Sequence, residues 1–135
     1  MSGHSNYVEA MTINALLRGG SFVVPTAHYM GICSADPTDD GNVNEFAYAG
    51  YARQNVTNAF SAPSGVDNQT SNTGQIIFPA NSGVADIIVT HFVIFDAQTG
   101  GNCLETGVFT APRTVAPGDK VAFAPGQVVI KPDTV

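Results

Sequence analysis

The sequence predicts an all-β fold, a β-sandwich or jelly-roll-like barrel with a short N-terminal helix. Three observations carry that expectation. Beyond residue 25, short apolar runs alternate with Gly/Pro/Asn/Asp clusters at close spacing, the punctuation of a many-stranded sandwich. The run ADIIVTHFVIFDA, 85–97, is apolar on both alternating faces, as a strand covered on two sides would be. Only residues 6–20 carry helical spacing. The 135 residues are divided into an N-terminal arm and helix, 1–20, and a single β-sandwich domain, 21–135, large enough to bury a core without disulfides or metals.

The elements follow in order. In NYVEAMTINALLRGG (6–20), Asn6 and Glu9 have capping-box spacing. Tyr7, Met11 and the Leu16/Leu17 pair give an apolar stripe, and Gly19-Gly20 supplies the stop. AHYMGICSA (27–35) and YARQNVTNAF (51–60) read as strands separated by an acidic loop. Residues 61–74 are breaker-rich loop, and QIIFPA (75–80) is a short strand. The run 85–97 is the strongest strand. Ile87, Val89, His91, Val93 and Phe95 fall on one face, and Ile88, Thr90, Phe92 and Ile94 on the other. Its second face needs a cover, supplied by the helix or by a neighbouring subunit. QTGG (98–101) turns the chain into NCLETGVFT (102–110) as a hairpin, and residues 113–133 add two or three short strands.

Charged residues are only 12% of the chain, about half the usual share. Such a sparsely charged surface suits a subunit packed in an assembly or a monomer coated with neutral polar side chains. A net charge of −6 with five scattered basic residues argues against nucleic acid as a partner, because phosphate binding works by Lys/Arg displacing counterions. No run reaches the roughly 18 apolar residues of a membrane span. The first residues lack the basic-then-apolar order of a secretion signal, so synthesis and folding in a cytoplasm are expected. Cys33 and Cys103 sit in apolar runs and read as buried free thiols.

The loop from residue 34 to 45 holds four of the eleven acidic residues. A helix–loop–helix calcium site fails there. Asp36, Asp40 and Gly41 fit positions one, five and six, but Ala47 stands where a bidentate Glu is needed. A less regular calcium site from Asp36, Asp39, Asp40 and Glu45 stays open beside the plainer reading of a solvated turn. A glycosidase carboxylate pair needs two acids fixed across a substrate, and nothing fixes these. Histidines 4, 28 and 91 lack metal-ligand spacing. Cys33 with His91 has the residue types of a nucleophile and base, without a spacing that joins them. Arg53 is a partner for Glu45. No catalytic residue, cofactor or metal is assigned.

The order of motifs resembles a known family. It runs ALLRGG, SADPTDDGN, YARQNVT, IIFPA, THFVIFDAQTGGN and PGDKVAFAPGQVVI, across residues 15–130. The segment EFAYAGYARQ departs from the smaller, glycine-rich residues usual there. The family is that of small virion structural proteins of tailed bacteriophages, often labelled tail fibre proteins. The resemblance implies a non-enzymatic virion subunit assembled in the host cytoplasm. Its expected partners are further copies of itself, most naturally as a trimer, and the major capsid protein or other virion proteins. Capsid decoration is placed ahead of a tail-fibre or baseplate position, because the chain lacks a fibrous repeat. A carbohydrate-binding module for host attachment is the rival from another class. The contact residues expected for assembly are Tyr7, Met11 and Leu16 on the helix, Asp36, Asp39, Asp40 and Glu45 in the acidic loop, and Phe92 on the second face of the long strand.

Overall fold

The computed structural model describes residues 3–132. Strand β1 (Gly3–His4) leads into helix α1 (Asn6–Leu17), followed by β2 (Tyr29–Cys33), β3 (Gln54–Asn55), β4 (Thr70–Ser71), β5 (Ile76–Ile77), β6 (Ile87–Phe95), β7 (Cys103–Val115), β8 (Ala122–Phe123) and β9 (Val129–Ile130). The fold is all-β with one short helix. One five-stranded antiparallel sheet, ordered β1-β7-β6-β2-β3, forms the main layer. The second layer is not a continuous sheet. It consists of two separate two-stranded ladders, β4-β9 and β5-β8.

The hairpin β6–β7 forms where the apolar run and the glycine turn predict it. Asp96 closes the turn, its carboxylate accepting from the Asn102 backbone N–H (2.7 Å) and side-chain amide (3.0 Å). Strand β7 extends to Val115, beyond the expected 110. The extension tolerates Pro112 because the ladder is broken there: Val89 faces Arg113 while His91 faces Val108, leaving extra residues bulged out of β7. That break also changes the faces of β6. Strict alternation groups Val89 with Val93 and Phe95. Instead Val89 joins Phe92 and Ile94 in the main core, and Val93 and Phe95 join Cys33 and Cys103 on the opposite face.

The main core lies between the five-stranded sheet and the two ladders. Met30, Ile32, Phe92 and Phe109 from the sheet meet Phe78, Val121, Phe123 and Val128 from the second layer. Aromatic rings run through it in sequence. Phe92 packs on Phe109 (5.2 Å between centroids), Phe109 stacks on Phe123 (4.6 Å), and Phe123 meets Phe78 edge-on (6.2 Å). Two buried asparagines replace missing ladder bonds in the thin layer. The Asn72 amide donates to the carbonyls of Gly74 and Ala124 while its oxygen accepts from Val128 N–H. The Asn81 amide donates to the carbonyls of Ala85 and Val115, and its oxygen accepts from Gly83 N–H.

The face of β6 that carries Phe92 and Ile94 was expected to need the helix or a neighbour, and it is instead the core face beneath the second layer. The chain's own acidic loop covers the opposite face, over Phe95 and Cys103. Pro37 and Gly41 are buried, and a β-carbon at Gly41 would stand 2.5 Å from the Cys103 sulfur, so only glycine lets the loop lie this close. The helix caps one residue earlier than the sequence suggested. Ser5, fully buried, accepts from Val8 N–H at 3.2 Å and donates to the Cys103 carbonyl. This bond ties the cap to β7.

Candidate interaction surfaces

The acidic loop is held by one guanidinium. Arg53 forks onto Glu45, with Nε 3.0 Å from Oε2 and Nη2 2.9 Å from Oε1. Its Nη1 donates to the carbonyls of Ala97 (3.0 Å) and Gly100 (2.8 Å) at the hairpin turn. Its face lies 3.6 Å above the Phe95 ring, a cation–π contact. Tyr51 completes the unit, donating to Glu45 at 2.7 Å and accepting from Ile32 N–H at 3.1 Å. The arginine and glutamate side chains are only 11% and 19% exposed. The expected pairing of Arg53 with Glu45 therefore exists, as a largely enclosed clasp rather than a surface ion pair. Glu45 faces inward, its carboxylate over Gly31, where a β-carbon would stand 2.3 Å from Oε2. This corrects its placement among the partner contacts. Burial and the Glu45 hydrogen bond raise the Tyr51 hydroxyl above its ordinary range, which keeps it a donor at any working pH.

The remaining loop acids are placed separately. Asp36 caps Thr38 N–H at 2.9 Å and its carbonyl accepts from Asn44, as an Asx turn does. Asp40 accepts from the Asn6 amide at 3.0 Å, and the Asp39 carbonyl from Asn6 N–H at 3.2 Å, at the first residue of α1. Tyr7, Asp39 and Asp40 thus border one small hollow of about 170 Å³, together with Ser5 and Asn102. Among the described residues no three His, Cys, Asp or Glu side chains gather around one point as a metal site requires.

Phe92 is the clearest correction. It is fully buried beneath Phe109 and Gly107 and has no surface to offer a partner. Cys33 and His91 are register partners, yet they do not form a nucleophile and base. Burial pushes the Cys33 thiol up to about 12, where a nucleophilic cysteine needs a lowered value. The His91 Nδ1 pairs with Thr90 at 2.7 Å, and burial lowers its basicity. Cys103 is likewise raised to about 12 by burial, and both thiols are free. A second ionisable pair joins the first strand to the sheet. His4 Nδ1 meets the Glu105 carboxylate, whose other oxygen is buried without a partner. Burial raises the Glu105 carboxyl, opposed by the hydrogen bond from His4.

The helix has two apolar faces. Val8, Met11, Thr12 and Ala15, spaced i, i+3, i+4, i+7, turn inward, with Val8 in the core. Ile13, Leu16 and Leu17 turn outward and are 53%, 76% and 75% exposed. The stripe read from the sequence mixed these faces. Met11 belongs to the inner one, Leu16 to the outer one, and Tyr7 lies between them at the edge. The chain beyond the helix doubles back. Arg18 and Gly20 N–H both bond the Asn14 carbonyl, and Val23 N–H lies 3.3 Å from the Met11 sulfur. Phe22, Val23 and Val24 follow, all exposed. No element was expected over residues 21–26, although Phe22, Val23 and Val24 run consecutively into Pro25.

No helix among the described residues is long and apolar enough to cross a membrane. What the chain assembles is a set of clamps and exposed surfaces on a β-rich scaffold, the build of a structural module. A family model described as Podophage GP4 fiber I protein gp80 matches residues 3–131, and the chain belongs to that family. Membership supports a structural role in a tailed-phage virion. No match was found among curated proteins.

Proposed function

We propose that this chain is a non-enzymatic structural component of a tailed-phage fibre, built into the particle in the host cytoplasm and contacting other virion proteins. The observation that carries the reading is the fibre-family match, which spans nearly all of the described residues. The sequence placed capsid decoration ahead because no fibrous repeat is present. The family description weighs toward the fibre, and a compact β-module fits a fibre's base, adaptor or tip as well as it fits a lattice. The clasp at Arg53 and the buried thiols suit a part that must hold its shape. Cryo-EM of the intact particle, with this chain located in density, tests the reading. Density at the tail supports it, and density repeated over the capsid lattice replaces it with the decoration role.

A further inference from the structure

We propose that Arg113 anchors a docking site for an extended peptide segment of another virion protein, and that it takes a carboxylate side chain from that segment. Two arginines of this chain make the comparison. Arg53 lies over the Phe95 ring, donates to two backbone carbonyls and is neutralised by Glu45. Arg113 is built alike. Its guanidinium lies 4.7 Å over the ring of Phe123, which is fully buried in the core. Its Nη1 donates to the Ala122 carbonyl and its Nη2 to the Gln127 side-chain oxygen. That oxygen also accepts from Ala124 N–H at 2.7 Å, so the acceptor is itself fixed. What Arg113 lacks among the described residues is a carboxylate. Both of its acceptors are neutral, so a half-buried guanidinium is held in one orientation with its charge uncompensated. Cations withdrawn from water are ordinarily paired, and the N–H groups left over fit a carboxylate.

The surroundings identify the ligand. Arg113 borders two hollows of about 270 and 420 Å³. The smaller is walled by Phe109, Thr110 and Ala111 on β7 and by Gly126 and Val129 of the second layer. The larger brings in Lys120, with Asp119 the one carboxylate among its lining residues. In a chain of net charge −6, two cations beside one anion are a local positive excess, which draws an acidic segment and repels a basic one. The backbone favours a peptide over a sugar acid. Val89 faces Arg113 and His91 faces Val108, so Phe109, Thr110, Ala111 and Pro112 have no register partner. An extended segment laid along this bulge meets backbone groups outside the ladder, as in strand addition to a sheet edge, and sets an acidic side chain at Arg113. The choice of a virion protein as the source rests on the fibre reading; the need for a carboxylate does not.

The test is a titration of the nitrogen-15-labelled full chain, following the Arg113 Nε–H resonance. The probes are the peptide acetyl-Thr-Glu-Thr-Glu-Thr-amide, its counterpart with glutamine in place of glutamate, and free glucuronate. The glutamate peptide is expected to shift the Arg113 resonance together with the backbone amides of residues 109–111, and to bind about tenfold more tightly than the glutamine peptide. The Arg53 resonance stays in place, because Glu45 already occupies it. Arg113→Gln, checked for folding by circular dichroism, loses the preference for glutamate. The two-peptide comparison on the wild-type chain decides the question even where that variant does not fold. Equal affinity for the two peptides overturns the proposal, as does an Arg113 resonance that does not move. A shift with glucuronate but not with the glutamate peptide overturns it in favour of a sugar acid. These results leave the fibre reading untouched, because that reading is decided by the chain's position in the particle.

Discussion

Gly107 lies directly opposite Phe92 in the β6–β7 ladder, and the Phe92 ring occupies the space a side chain would take. A β-carbon there would stand 2.1 Å from Cζ and 2.3 Å from Cε1, well over 1 Å inside normal contact. The ring cannot swing aside, since Phe109 packs on it and no part of it reaches solvent. Gly107→Ala should thus behave as overpacking, costing about 3 kcal/mol. The gain from a stiffer unfolded chain offsets about 0.5 kcal/mol of this. A net loss of roughly 2–3 kcal/mol lowers the melting temperature by about 10 °C for a domain of this size. Urea unfolding followed by circular dichroism measures it. Phe92→Leu alone leaves a cavity worth about 1–2 kcal/mol, but it also vacates the space that alanine needs. The double variant should therefore be more stable than the sum of the two losses by about 1 kcal/mol or more. Losses that simply add, or a Gly107→Ala protein within about 0.5 kcal/mol of wild type, would refute the packing argument.

Three further predictions rest on the clasp, the thiols and the buried carboxyl. Arg53→Ala leaves Glu45 enclosed without its cation and should cost about 2–4 kcal/mol; Arg53→Lys, lacking the fork, should recover only part of it, and an unchanged urea midpoint for Arg53→Ala would show the clasp to be idle. With both thiols near 12, only about one in ten thousand is ionised at pH 8, so a thiol reagent such as Ellman's should react only as fast as the protein unfolds; rapid native labelling would contradict this burial. Glu105 has its carboxyl raised above 4.5 chiefly by burial, so the folded state holds this proton more tightly than the unfolded chain. Its contribution is complete below 4.5 and is lost as pH rises through the folded value. Glu105→Gln should flatten that decline between pH 4 and 8, and a wild-type/variant difference independent of pH would count against the assignment.

The parts of the fold legible in the sequence were those written in local pattern. The run 87–95, the glycine turn and the returning strand gave the central hairpin, since a long apolar strand beside a turn signal has few other solutions. The helix and its glycine stop were equally local. The thin second layer was not legible, because its strands are two residues long and side chains of Asn72 and Asn81 supply bonds that a ladder normally makes. No pattern distinguishes those asparagines from the turn asparagines around them. The face switch on β6 escaped because it depends on a bulge in β7, the partner strand. Among the site residues, Glu45 with Arg53 was readable as a pair, but its enclosure was not, since that depends on Phe95 and two hairpin carbonyls brought from elsewhere. Phe92 was assigned to a surface because both faces of its strand looked apolar, whereas its own face is the one the second layer packs on and Pro37 and Gly41 of the acidic loop cover the opposite one.

The bonds from Ser5 to Cys103 and from His4 to Glu105 span almost the whole chain, and they set an order of events during synthesis. The first strand and the helix cap leave the ribosome long before their partners on β7 exist. At roughly 5–20 residues per second, about 5–20 s separate the two. Through that interval the helix has no sheet to lie on, and both of its apolar faces meet solvent together. Only when residues 103–106 emerge can the inner face dock against β7. A nascent chain paused before that point is therefore the species most exposed to mispairing, and rare codons or pauses upstream of residue 103 would lower the yield of soluble protein more than the same pauses placed after it.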